Sequence, residues 1–217
     1  SLNGAKAPEK VADPIIVHPD VRRMLLDQKA FIEGARAFAY WTAFQGDLQH
    51  KSNDEKVQER AGDYMALLTP VVKAYLTHKG CESANLGLQV HGGSGFTREW
   101  GMEQFVRDSR ITMIYEGTNG IQALDLVGRK LASNGGRAVF SFFAELDAEL
   151  QPFVEGLTTV KGQLQEGTNW LMQNGMSDFN NAGASSHDYL HLFGLTALCF
   201  MWARMAKVAI EKKADGD

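Results

Sequence analysis

Apolar residues recur at helical spacing along most of the chain. Val21, Met24, Leu25, Phe31, Ile32, Ala35, Phe38 and Ala39 form one stripe with a 3.6-residue period. His18-Pro19-Asp20 predicts where that helix starts, because proline suits the first helical position and Asp20 favours the positive end of the dipole. Gly46 is the expected stop. The polar stretch 47–55 predicts a loop, and a second helix is predicted from Lys56 to His78. Its apolar positions include Ala61, Tyr64, Leu68, Val71 and Tyr75; Pro70 inside it predicts a kink, and Gly80 a termination. A third helix is expected over Cys81 to Val90, ended by Gly92-Gly93-Ser94-Gly95. An irregular link over 96–102 and a short helix over 103–113 follow. Thr118 is placed to cap a further helix with Ile121, Leu124, Val127 and Leu131 as its buried stripe.

Ser133-Asn134-Gly135-Gly136 is the strongest boundary signal. Beyond it, helices are predicted over 137–155, 157–174 and 185–212. No segment alternates as a strand does. The expected fold is therefore all-α: an antiparallel four-helix bundle over residues 18–133, preceded by an arm over 1–17 and followed by a helical extension over 137–217. Pro8 and Pro14 exclude a continuous helix in the arm, which is expected to be extended and partly docked.

Composition narrows the function classes. A net charge of −4 argues against a nucleic-acid binder, which carries a basic field. Two distant cysteines, Cys81 and Cys199, do not make a disulfide framework and point to a reducing, cytoplasmic setting. No run of about 18 consecutive apolar residues is present, so no membrane span is expected. The chain opens on Ser1 without a starting methionine, which suggests a piece of a longer protein.

The candidate chemistry sits in the middle of the chain. Gly92, Gly93 and Gly95 permit positive φ and close backbone approach. They are not a Rossmann fingerprint, since Arg98 stands where the third glycine belongs and no strand precedes them. Two readings stay open: a helix stop with a turn, or close approach to a nucleotide phosphate assisted by Gln89. Glu116 lies between Tyr115 and Gly117 after an apolar run. It is either a solvated carboxylate near a helix N-terminus or a general base whose pKa rises when a ligand buries it.

Three ordered blocks favour the second reading in each case. Gln89-Val90-His91-Gly92-Gly93-Ser94-Gly95-Phe96-Thr97-Arg98-Glu99 is followed by Arg107-Asp108-Ser109-Arg110-Ile111, and then by Ile114-Tyr115-Glu116-Gly117-Thr118-Asn119-Gly120-Ile121-Gln122. This succession resembles the C-terminal domain of the acyl-CoA dehydrogenases. The extension beyond Ala132, with Leu2-Asn3-Gly4-Ala5-Lys6 and His18-Pro19-Asp20-Val21-Arg22-Arg23, is similar to larger bacterial members of that family, the 3-methylthiopropionyl-CoA dehydrogenases among them. The resemblance implies FAD as cofactor, an acyl-CoA thioester as substrate and an acceptor of the electron-transfer flavoprotein type. It also implies a homodimer or homotetramer. It makes Glu116 the α-proton-abstracting base, with Tyr115 and Gly117 beside the thioester. Thr118, Asn119 and Gly120 would contact the flavin's dinucleotide, and Gln89, His91, Gly92 and Gly93 the FAD of a neighbouring subunit. The family's N-terminal helical and central β-domains are absent here, so the piece alone is expected to be inactive. The competing class is a non-catalytic assembly module that retains the helical scaffold.

Other signals carry less. His187 and His191, four apart on a helix, lack a third metal ligand in sequence, and no metal is expected. Arg107, Asp108 and Arg110 are expected to form an ion pair near the base loop. Phe140, Phe142, Phe143, Trp170, Met201 and Trp202 are core or interface material.

Overall fold

The structure, a computed structural model, describes residues 4–150, 155–175 and 177–214. Among these there are seven α-helices and no strand: α1 Pro19–Lys51, α2 Glu55–Val90, α3 Met102–Ile111, α4 Asn119–Asp125, α5 Arg137–Leu150, α6 Glu155–Asn174 and α7 Phe179–Ala214. Short 3-10 turns lie at Ile15–Val17, Gly92–Phe96, Arg98–Trp100 and Ser133–Gly136. The fold is all-α, as expected.

Several boundaries differ from those read in the sequence. Helix α1 runs through Gly46 to Lys51, because its buried face continues through Thr42 and Gln45 and packing outweighs one glycine. The predicted loop shrinks to residues 52–54, where the Asp54 carboxylate accepts the Lys56 N–H at 2.9 Å and caps α2. Gly80 does not end α2, which continues to Val90 with Pro70 accommodated inside it. Helix α7 starts six residues earlier than 185, at Phe179, since the Asp178 carboxylate accepts the Asn180 N–H at 2.9 Å. Helix α4 passes into a π-helical turn, Leu126–Lys130, closed by the Leu131 N–H donating to the Leu126 carbonyl at 3.0 Å. At the boundary signal, Asn134 and Gly135 take left-handed conformations, φ 50° and 67°.

The chain divides into two compact units. The first comprises residues 1–33 and 79–112, and the second residues 34–78 and 113–217. In the second, an aromatic cluster forms the core. Phe142 stacks on Phe193 at 5.2 Å and meets Phe200 edge-on at 5.8 Å, while Trp41 lies 5.6 Å from both Tyr64 and Phe200. Such offset and edge contacts add about 0.5–1.5 kcal/mol each to area burial. Helices α2 and α7 touch where Gly194 meets Tyr75; a Cβ there would fall 2.2 Å from the ring. The Tyr64 hydroxyl, whose pKa burial pushes up, donates to Glu145 at 2.7 Å and ties α2 to α5.

Helix α7 is long and apolar enough to cross a membrane by length and composition alone, although Arg204 and Lys207 interrupt its apolar stretch. Leu190, Phe193, Ala197, Phe200 and Met201 on it are buried in the core of the second unit, the pattern of a core helix.

The first unit is built differently. Met24 is its one buried hydrophobic side chain among the described residues. Its arm folds on itself: the Asp13 carboxylate accepts the N–H groups of Lys6 and Ala7 at 2.7 and 2.8 Å. Arg22 donates to the carbonyls of Ile16 and Val17 at 3.1 and 2.9 Å, which holds the arm at the start of α1.

Candidate functional site

The glycine block closes α2 in the first unit. The chain leaves the helix at His91 and turns through Gly92, whose φ is +62°. Gly95 is buried, and a Cβ there would lie 2.6 Å from the Leu88 carbonyl oxygen and 2.7 Å from the His91 Cβ, so only glycine fits. Nothing lies within 4 Å of a Cβ built on Gly92 or Gly93, so this stretch of backbone is open to an approaching group. Gln89, His91, Gly92 and Gly93 are all exposed. The His91 ring turns back on its own helix, with Nδ1 2.9 Å from the Gly87 carbonyl, which can only accept; Nδ1 therefore carries the proton. The ring also lies 6.0 Å from Trp100. Phe96, Trp100 and Phe105 are largely exposed around the same turn. Glu99 is held below the usual carboxylate range by hydrogen bonds from its own N–H and from Thr97.

The expected ion pair among Arg107, Asp108 and Arg110 is not the arrangement found. Asp108 instead accepts the Gln104 amide at 2.6 Å, and Arg107 lies 4.0 Å from Glu103, both one turn away on α3. Side chains four apart on a helix meet more readily than adjacent ones.

The carboxylate loop lies in the second unit, between α3 and α4. Glu116 and Gly117 are consecutive left-handed residues, φ +53° and +83°. For a non-glycine residue this conformation costs on the order of 1–3 kcal/mol and persists only where the surroundings impose it. Gly117 fits because a Cβ there would fall 2.9 Å from the Gln122 amide. That amide donates to the Glu116 carbonyl at 3.2 Å. Thr118 caps α4 as expected, its hydroxyl accepting the Ile121 N–H at 3.3 Å.

Helix α2 holds the loop from the other side. Lys73 donates to the Gly117 carbonyl at 2.7 Å and to the Asn119 side-chain oxygen at 3.0 Å. The Asn119 amide donates to the Ala74 carbonyl at 3.1 Å, and Thr77 lies 3.2 Å from both ends of that amide group. The Asn119 side chain is thus committed to α2. Burial holds the Lys73 ammonium below its ordinary range, while the Glu116 charge pulls it back up. Glu116 itself is exposed, as are Tyr115, Gly117, Thr118 and Gly120. Among the described residues, the Glu116 N–H has no hydrogen-bond partner. The loop therefore presents a carboxylate and a backbone donor side by side, both available to a ligand.

A carboxylate beside a backbone donor can accept a proton next to a carbonyl that the donor polarises. Residues 1–131 match the family model described as acyl-CoA dehydrogenase, C-terminal domain, and residues 136–217 match acetyl-CoA dehydrogenase C-terminal like. The chain belongs to the acyl-CoA dehydrogenase family. It is 39% identical over 215 residues to the 3-methylmercaptopropionyl-CoA dehydrogenase of Ruegeria pomeroyi, covering 94% of this chain and 36% of that protein. It is 33% identical over 217 residues to the broad-specificity linear acyl-CoA dehydrogenase FadE5 of Mycobacterium tuberculosis, covering 89% and 34%. An acyl-CoA dehydrogenase from Bacillus anthracis, solved as a complex with FAD, superposes with a TM-score of 0.68 at 20% identity, covering 91% of this chain and 36% of that one. The chain thus spans about a third of the length of these acyl-CoA dehydrogenases.

Two features of the second unit escape a reading of the sequence. Lys73 is 44 residues from Gly117, and nothing in the local pattern marks it. His78 joins the His187–His191 pair, with ring centroids 5.7 and 4.7 Å from theirs. The three rings pack through edges and faces, and among the described residues no group of three or more ligating side chains could hold a metal.

Proposed function

We propose that this chain is the base-bearing part of an FAD-dependent acyl-CoA dehydrogenase, in which Glu116 removes the α-proton of an acyl-CoA thioester. The observation that carries the reading is the Glu116–Gly117 turn. A strained, left-handed carboxylate residue is held at an exposed loop tip with an unpaired N–H beside it. Strain of this kind belongs where position matters more than stability.

An α-hydrogen of a saturated thioester is a weak acid, and charge accumulates on the thioester oxygen as it leaves. The Glu116 N–H would donate to that oxygen, with Tyr115 and Gly117 beside the thioester. The Glu116 carboxylate takes the proton. A bound flavin supplies the acceptor for the hydride that leaves the β-carbon. The residues present fit such a group in one respect above all: the open backbone at Gly92 and Gly93 leaves room for close approach. Thr118, Asn119 and Gly120 would contact its dinucleotide, the Asn119 side chain also anchoring the loop on α2, and Gln89, His91, Gly92 and Gly93 would reach the FAD of a neighbouring subunit. An acceptor of the electron-transfer flavoprotein type and a homodimer or homotetramer belong to the same reading.

The test uses the full-length protein that carries this chain. Glu116→Gln should slow flavin bleaching by saturating acyl-CoA about 10²- to 10⁴-fold. Bleaching at the unmodified rate would overturn the proposal.

A further inference from the structure

We propose that Lys73 is a positioning residue for Glu116: its ammonium, bound to both the Gly117 carbonyl and the Asn119 side chain, locks the turn that presents the carboxylate. The inference rests on the reading of Glu116 as base and adds a residue to it. A solvated surface lysine would make one transient contact at most. Lys73 instead makes two short bonds, 2.7 and 3.0 Å, to acceptors on either side of Thr118.

The geometry gives each bond a separate task. The bond to Asn119 fastens the start of α4, which is already held by the Ala74 carbonyl and Thr77. The bond to the Gly117 carbonyl has no such support. Among the described residues, Lys73 is the one donor to that oxygen. Losing it frees the peptide that follows two consecutive positive-φ residues and leaves the Gln122 amide on the Glu116 carbonyl as the remaining side-chain hold on the turn, so Glu116 relaxes from φ +53°. The carboxylate and the Glu116 N–H would move together, because both hang from that backbone. Helix α4 would stay in place, since the Thr118 cap and the Asn119 anchor on Ala74 and Thr77 survive. Lys73 thus controls the loop without controlling the fold.

The experiment compares Lys73→Met and Lys73→Arg in the full-length, flavin-loaded protein, beside Glu116→Gln. Lys73→Met should lower kcat about 10- to 100-fold, the scale of an ångström-level misplacement, while KM stays close to its unmodified value. Backbone hydrogen exchange should quicken at residues 113–118 and stay unchanged in α5 and α7. Arginine keeps the charge and several donors, so Lys73→Arg should recover most of the rate and the protection. The inference is overturned if Lys73→Met keeps kcat and exchange at unmodified levels, if the faster exchange spreads through α2 and α4, or if Lys73→Arg does no better than Lys73→Met. If Glu116→Gln loses flavin reduction while Lys73→Met keeps it, the positioning role alone fails. If Glu116→Gln keeps reduction, the base assignment fails, and exchange at 113–118 still decides whether Lys73 orders the loop.

Discussion

The two units of the chain solve opposite problems. The second buries Phe38, Phe142, Phe193 and Phe200 completely and mounts the strained Glu116 loop on its surface. Among the described residues, the first buries a single hydrophobic side chain, Met24, and leaves Phe96, Trp100 and Phe105 largely exposed. Where apolar contacts are dense, the backbone can be held in an unfavourable conformation, because the rest of the unit over-determines it. Where they are sparse, shape depends on local bonds: glycine turns, the Asp13 carboxylate on two N–H groups, Arg22 on two carbonyls. The strained carboxylate is found in the unit able to support it.

That contrast can be broken at its strongest point first. Phe142→Ala removes the centre of the aromatic cluster and should destabilise the second unit by about 3–5 kcal/mol, read from chemical denaturation. A loss under about 1 kcal/mol would mean that the cluster does not govern the unit. Gly194→Ala should follow, because a Cβ 2.2 Å from the Tyr75 ring forces α7 away from α2. Overpacking of this kind costs about 1–3 kcal/mol in denaturation experiments. Gly95→Ala probes the other unit. A Cβ 2.6 Å from the Leu88 carbonyl should distort the glycine turn and quicken hydrogen exchange over 88–100, without touching exchange in α5 or α7. Effects spreading to those helices would erase the distinction between the units.

The smallest effect is a pH dependence. The N–H groups of Ala7 and Lys6 hold the Asp13 carboxyl below its usual range. A depressed folded pKa contributes order that is present above the ordinary aspartate value and is lost as pH falls through the folded one. The Ala7 and Lys6 amide resonances should therefore report an acid midpoint below that of an unstructured aspartate. A midpoint at or above it would show that the arm is not held this way.

How much of this could be read from the chain depends on the range of each interaction. The Thr118 cap on Ile121 is a three-residue signal, and it is legible. The tightness at Gly95 is nearly so, since its neighbours Leu88 and His91 lie within seven residues. The continuation of α1 through Gly46 and of α2 through Gly80 was not legible, because packing of the flanking turns decides it and a lone glycine costs only about 1 kcal/mol. Lys73 and its acceptors are 44 and 46 residues apart, and only the folded chain brings them together. The left-handed Glu116 is also invisible in sequence, since glutamate has no special liking for positive φ. The motif marked the residue; the fold revealed how it is held.

Proton removal can be watched apart from flavin reduction. In deuterated water, the full-length protein is given an acyl-CoA analogue with sulfur at the β-position, which cannot surrender a hydride but keeps its acidic α-hydrogens. The unmodified protein should exchange those hydrogens for deuterium, and Glu116→Gln should slow that exchange about 10²- to 10⁴-fold with the analogue still bound. Equal exchange by the two proteins would contradict the assignment of Glu116 as the base.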